Sequence, residues 1–160
     1  MRGIIIITLT TLALFGCVST KEQAVYVTEA IDTKREIALV GIRHPWVNQI
    51  EMRLRKEGVK IKRFASVSQV TERISRNKKE TYNEASTRLI LVLDGFAPNT
   101  AMTRCLGGGY KFNYINAELI DALNNETVAN YANSGYSEGC PPLSGTIFQD
   151  VTSMVLKVVK

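Results

Sequence analysis

Five consecutive residues, Leu89-Ile90-Leu91-Val92-Leu93, constrain this chain more than any others. A run that apolar belongs in the interior of a β-sheet covered on both faces, and Asp94-Gly95 ends it, so it reads as a short strand over 88–93. A second run of the same kind, Ile37-Ala38-Leu39-Val40, sits inside a strand over 36–42 and is broken by Gly41 and His44-Pro45. Short continuous apolar runs are the mark of parallel strands, so the chain must also supply helical crossovers between them.

The first crossover is legible. Pro45 suits the first turn of a helix, where its missing N–H would have no intrahelical partner. Trp46, Val47, Ile50 and Leu54 follow at helical spacing and Gly58 is a natural stop, which predicts a helix over 45–57. Val59, Ile61 and Phe64, set among Lys60, Lys62 and Arg63, then predict a half-exposed strand. Together these make a βαβ unit with a right-handed crossover. Ser66 and Gln69 stand at capping-box spacing ahead of Val67, Val70 and Ile74, a short second helix that gives way to a loop at Arg76-Asn77-Lys78-Lys79-Glu80.

Beyond Pro98 and Gly107-Gly108-Gly109 the pattern changes to alternation, as in antiparallel strands with one wet face. Ile115, Ala117 and Leu119 mark the core parity, and Asn124-Asn125 is the turn, because Asn tolerates the left-handed conformation a tight hairpin needs. The return strand is expected over 126–134, anchored by Val128 and Tyr131. Thr146 and Gln149 fit a capping box, and Ile147, Phe148, Val151, Met154, Val155 and Val158 form one apolar stripe of a closing helix. The expected fold is a small two-layer or three-layer α/β sandwich. It has a mixed sheet of about five strands with a βαβ unit, a late β-hairpin and a C-terminal amphipathic helix.

The start of the chain speaks to address. Arg2 precedes an apolar run from Ile4 to Phe15, which at ~1.5 Å per residue is too short for the ~30 Å core of a bilayer and reads as a signal peptide. Its last residues, Leu14-Phe15-Gly16-Cys17, resemble the lipobox of bacterial lipoproteins. That resemblance implies cleavage after Gly16, acylation of Cys17 and anchoring to the lipid bilayer. Val18 in the next position, where Asp would retain the protein at the inner membrane, implies the periplasmic face of the outer membrane. The divisions expected are a signal peptide over 1–16, a lipid-anchored tether over 17–34 in which 25–28 can order as an edge strand, and a single α/β domain over 35–160.

Of the three cysteines, Cys17 is assigned to lipid, and Cys105 and Cys140 remain as a pair in an oxidising compartment. Counting outward from the Asn124-Asn125 turn sets Cys105 opposite Ser144 and Cys140 opposite Gly109, so a disulfide is expected at the open end of the hairpin. With a single histidine, His44, a metal-ligand set is not reached. The glycine triplet lacks the Lys-Ser or Lys-Thr of a phosphate loop, and no cofactor is implied. Ser66, His44 and Asp94 lack nucleophile-elbow spacing, and Glu118 and Asp121 fall on opposite parities of one strand, so no catalytic residue is assigned.

The balance of 20 basic to 15 acidic residues is a mild bias, and a periplasmic address argues against nucleic acid as partner. The best candidate patch is Arg53, Arg55, Lys56, Lys60, Lys62 and Arg63, with Arg73, Arg76, Lys78 and Lys79 nearby in sequence. The order of elements over 36–160, and above all Ala117-Glu118-Leu119-Ile120-Asp121-Ala122-Leu123-Asn124-Asn125-Glu126-Thr127-Val128, resembles a small α/β domain found in several envelope proteins. These are the amino-terminal part of the TolB translocation protein, the curli-secretion lipoprotein and the penicillin-binding-protein activator lipoproteins. The resemblance implies a non-enzymatic lipoprotein that binds another envelope protein. The alternatives are an enzyme acting on peptidoglycan or another envelope polymer, and a structural subunit that self-assembles through sheet edges, with oligomeric state left open.

Overall fold

The computed structural model describes residues 21–63 and 87–160. The apolar runs do form a sheet interior. Six strands, β1 (Glu22–Val25), β2 (Glu36–Gly41), β3 (Lys60–Arg63), β4 (Leu89–Phe96), β5 (Lys111–Asp121) and β6 (Glu126–Tyr136), join in the order β1-β6-β5-β4-β2-β3. Parallel pairing links β3 to β2 and β2 to β4, with Leu39 beside Leu91, and the remaining pairs are antiparallel. The helices are α1 (Pro45–Lys56) and α2 (Ile147–Val158). The fold is therefore the expected α/β sandwich with a mixed sheet, a βαβ unit, a late hairpin and a closing helix. The expected second helix after Ser66 and the loop at Arg76–Glu80 lie outside the described residues.

The sixth strand is β1. It pairs antiparallel with β6, Glu22 opposite Ala132 and Val25 opposite Ala129, three residues earlier than the edge strand expected over 25–28. The segment read as a tether is thus built into the sheet from Glu22 onward. It is fastened again at Ile31, whose N–H donates to the Val158 carbonyl at 2.6 Å and whose carbonyl accepts from Lys160 N–H at 3.0 Å. Backbone pairing along an edge needs little side-chain signal, which is why a polar stretch conceals it.

Both described helices pack on one face of the sheet. Trp46, Val47, Ile50 and Leu54 of α1 and Ile147, Phe148, Val151, Met154, Val155 and Val158 of α2 form one core with Ile37, Leu39, Leu89, Leu91, Leu93, Ile115, Ala117 and Leu119. The opposite face carries neither helix, and there Ile90 and Val92 are half-buried, less enclosed than their apolar run suggests. The core parity of β5 is the expected one, with a shift: a bulge between Phe112 and Ile115 lets Phe112 join the core although it belongs to the other parity.

The caps show where local signals compete. His44 caps α1, its Nδ1 accepting from Trp46 N–H at 3.4 Å ahead of Pro45, and Gly58 with φ +83° ends it as expected. The capping box expected at Thr146 and Gln149 is absent. The Thr146 hydroxyl bonds the Asp150 carboxylate at 2.8 Å instead. The free N–H groups of Phe148 and Gln149 donate to the two carboxylate oxygens of Glu138, at 3.1 and 2.8 Å. A full negative charge at a helix N-terminus is favoured by the macrodipole, and Glu138 brings it from the loop after β6.

Candidate functional site

Residues with catalytic chemistry are dispersed. Ser66 lies outside the described residues, and the Nδ1 of His44 is engaged in the helix cap. Burial, with Arg104 nearby, lowers the His44 pKa and keeps the ring neutral. Glu118 on the wet parity of β5 bonds the Thr127 hydroxyl. Asp121, on the core parity and 3% exposed, takes a two-pronged contact from Arg88 with N–O distances of 2.7 to 3.1 Å, and also accepts from Leu123 N–H at 3.0 Å. The two carboxylates do face opposite sides. No group of three metal-ligating side chains occurs among the described residues.

Five of the six cations of the expected patch are divided among three acids. Arg55 and Arg63 both bind Glu51, Nε to carboxylate oxygen at 3.0 and 2.7 Å, and Arg55 also donates to the Ile61 carbonyl at 3.1 Å. Lys60 and Lys62 bind Glu36 at 3.4 and 3.0 Å, on the face away from the helices because they alternate with the buried Ile61. Arg53 reaches Glu138 at 3.6 Å and lies over the Phe148 ring, while Lys56 is exposed at the end of α1. Hydrogen bonds from Lys62 and Lys60 lower the Glu36 pKa. Burial pushes Glu51 upward, but the bonds from Arg55 and Arg63 outweigh it and the net shift is down. The bond from Arg88 lowers Asp121. Among the described residues, the three carboxylates whose pKa moves are therefore held ionised by their own cations, as in structural ion pairs.

Two other surfaces gather residues. The first is the end of the sheet where β4 and β6 finish, β5 begins and both helices start. Its frame is the Cys105–Cys140 disulfide, with Cα atoms 4.8 Å apart. The hairpin register is tighter than counted from the turn: Asp121 faces Glu126 and Lys111 faces Tyr136, and the ladder stops before the cysteines. A turn closes the remaining gap, Cys105 N–H donating to the Gly109 carbonyl at 3.2 Å while Gly109 N–H donates to the Gly139 carbonyl at 2.9 Å. A Cβ on Gly109 would collide with the Glu138 carbonyl and lie 2.6 Å from the Cys140 sulfur, so the glycine triplet permits close backbone approach. Beneath it Trp46, Tyr110, Phe112 and Phe148 cluster with centroids 5.4 to 6.2 Å apart, edge to face except for the tilted Tyr110–Phe112 pair. Above it Met102 and Leu106 stand 97% and 101% exposed, and Leu143 61%. Beside Leu143 runs an open groove of about 790 Å³ lined by Lys21, Lys111, Tyr136 and Thr146 among others.

The second surface is the sheet face without the described helices. Across β1, β6, β5 and β4 it presents Glu22 and Ala24, then Ala132 and Asn130, then Asn116 and Glu118, then Asp94 and Val92. Tyr26, 60% exposed, bonds Asn130 through its hydroxyl at 3.3 Å, and Tyr114, 43% exposed, pairs with Phe96, 54% exposed. Tyr26, Asn116, Glu118, Thr127 and Asn130 line a shallow hollow of about 580 Å³. Alternation in β5 marks Tyr114, Asn116 and Glu118 as the wet parity. Tyr26 joins them only through the pairing of β1, and Glu138 reaches its helix only through the loop; neither has a local signal.

No protein-family model and no curated protein sequence matches the chain. Among solved structures it is similar to PelC dodecamers from Paraburkholderia phytofirmans, one of them a point variant. Both are 16% identical over 88% of this chain and 95% of the other, with TM-scores of 0.48 and 0.47.

Proposed function

We propose that this chain is a lipoprotein of the bacterial envelope, acylated at Cys17, held at the periplasmic face of the outer membrane, and working by binding another envelope protein. The observation that carries the address is the Cys105–Cys140 disulfide: such bonds persist in oxidising compartments, the destination that the apolar leader and the Leu14-Phe15-Gly16-Cys17 lipobox imply. Binding is supported by the sheet face without the described helices. Its Tyr26, Tyr114, Asn116 and Asn130 combine rigid aromatic area with adaptable amide hydrogen bonding, the mixture typical of protein-binding surfaces.

Two measurements test the two halves. In the native envelope, Cys17→Ala is expected to abolish palmitate labelling and release the chain from the membrane fraction. Unchanged processing and partitioning would end the lipoprotein reading. A photo-crosslinking amino acid in place of Tyr114 or Asn130 is expected to yield an adduct of one discrete mass with a second protein. Recovery of the chain without any protein adduct would remove the partner, and an adduct of twice the chain's mass would replace it with self-assembly.

A further inference from the structure

The first residue described, Lys21, fixes where an anchor would leave the fold. Because β1 runs antiparallel to β6 with Glu22 opposite Ala132, the chain before it points toward the end of β6, and Lys21 lines the groove with Lys111, Tyr136 and Leu143. Its ammonium is tied to Asp150 at 2.8 Å, which pins the exit point to the N-terminal end of α2. Cys17 precedes Lys21 by four residues, a span of at most roughly 14 Å even when fully extended. An acyl chain on Cys17 therefore holds this one end of the molecule at the bilayer.

That end carries three of the most exposed apolar side chains of the described residues, Met102, Leu106 and Leu143. The disulfide and the Gly109–Gly139 backbone contact tie together the two loops that present them, 97–110 and 137–146. Lys111 stands over the Tyr136 ring beside them, its nitrogen 5.6 Å from the centroid, a cation and an amphipathic aromatic at the level where lipid headgroups begin. From this coincidence of exit point and exposed apolar tips, we infer that the disulfide-braced end is a membrane seat: Met102, Leu106 and Leu143 enter the headgroup boundary of the same leaflet that holds the Cys17 lipid. The inference rests on the lipid anchor proposed above. It assigns the occupant of this surface, a phospholipid leaflet, and is distinct from the sheet face without the described helices to which a protein partner is assigned above.

The test is photo-crosslinking of the full chain in intact envelopes, with benzoylphenylalanine in place of Leu106 or of Leu123. The latter is 75% exposed in the turn at the far end of the hairpin and serves as the remote site. Palmitate labelling of each variant is read in parallel. The expected result is palmitate on both variants and phospholipid adducts at least tenfold more abundant at position 106 than at 123. Palmitate present with equal lipid adducts at the two positions, with none at either, or with a protein adduct alone at 106 would overturn the seat and leave the anchor standing. Loss of palmitate from the unsubstituted chain would overturn both.

Discussion

Asp121 shows how a charge is kept in an interior. Its carboxylate is nearly closed off from water, yet the Arg88 guanidinium and the Leu123 N–H satisfy it. Removing one partner of such a pair leaves an uncompensated buried charge on Asp121, so Arg88→Ala is expected to lower the urea midpoint, by less than for a fully buried pair because Arg88 itself is exposed. The sign with pH follows from the lowered pKa. The pair's stabilisation is complete above the ordinary carboxyl value near 3.8 and is lost as pH falls below it through the folded value. Arg88→Ala should therefore flatten the acid side of the stability curve. His44 works from the opposite charge type. Burial lowers its pKa beneath the usual 6.5, so the unfolded chain binds the proton first and stability declines as pH falls through that value. His44→Asn keeps a capping side chain without the titration, and should abolish that part of the decline; as the chain has a single histidine, NMR titration of its ring reports the folded value directly.

Among the elements, α2 depends on a residue nine positions before its start. Glu138 supplies acceptors for both Phe148 and Gln149 N–H groups, so Glu138→Ala is expected to destabilise by about 1 to 2 kcal/mol and to speed hydrogen exchange at those two amides while sparing α1. Thr146→Val should do much less, because the Thr146 hydroxyl bonds a side chain and caps no backbone group. The hairpin and its loop depend on the disulfide. Its 35-residue separation corresponds to about 4 kcal/mol on the chain-entropy estimate, so Cys105→Ser with Cys140→Ser should lower the urea midpoint by that measure of stability. Gly109→Ala should destabilise the same end even with the disulfide intact, since the added carbon meets the Glu138 carbonyl. Both changes act on the loop that presents Met102 and Leu106.

At the scale of the whole molecule, both described helices pack on one face of the sheet, and the disulfide braces one end. Strands β2, β4, β5 and β6 and both helices were legible because each carries its own period: Leu89 to Leu93 as an unbroken run, Ile115, Ala117 and Leu119 by alternation, Trp46, Ile50 and Leu54 by turns of a helix. The cysteine pair was legible because only two thiols remain once Cys17 is set aside. The bounds of the edge strand β1, which lies three residues before the expected 25–28, the bulge that turns Phe112 inward, the Glu138 cap and the division of the basic residues among Glu36, Glu51 and Glu138 were not. The amino-acid order by itself determines where backbone conformation and apolar burial agree over a few residues, because those preferences are local and repeat with a fixed period. Only the tertiary structure decides which charge meets which, and which polar stretch pairs with a strand a hundred residues away. Those contacts depend on register and relative placement, and a polar side chain in water favours many partners almost equally until the fold leaves one within reach.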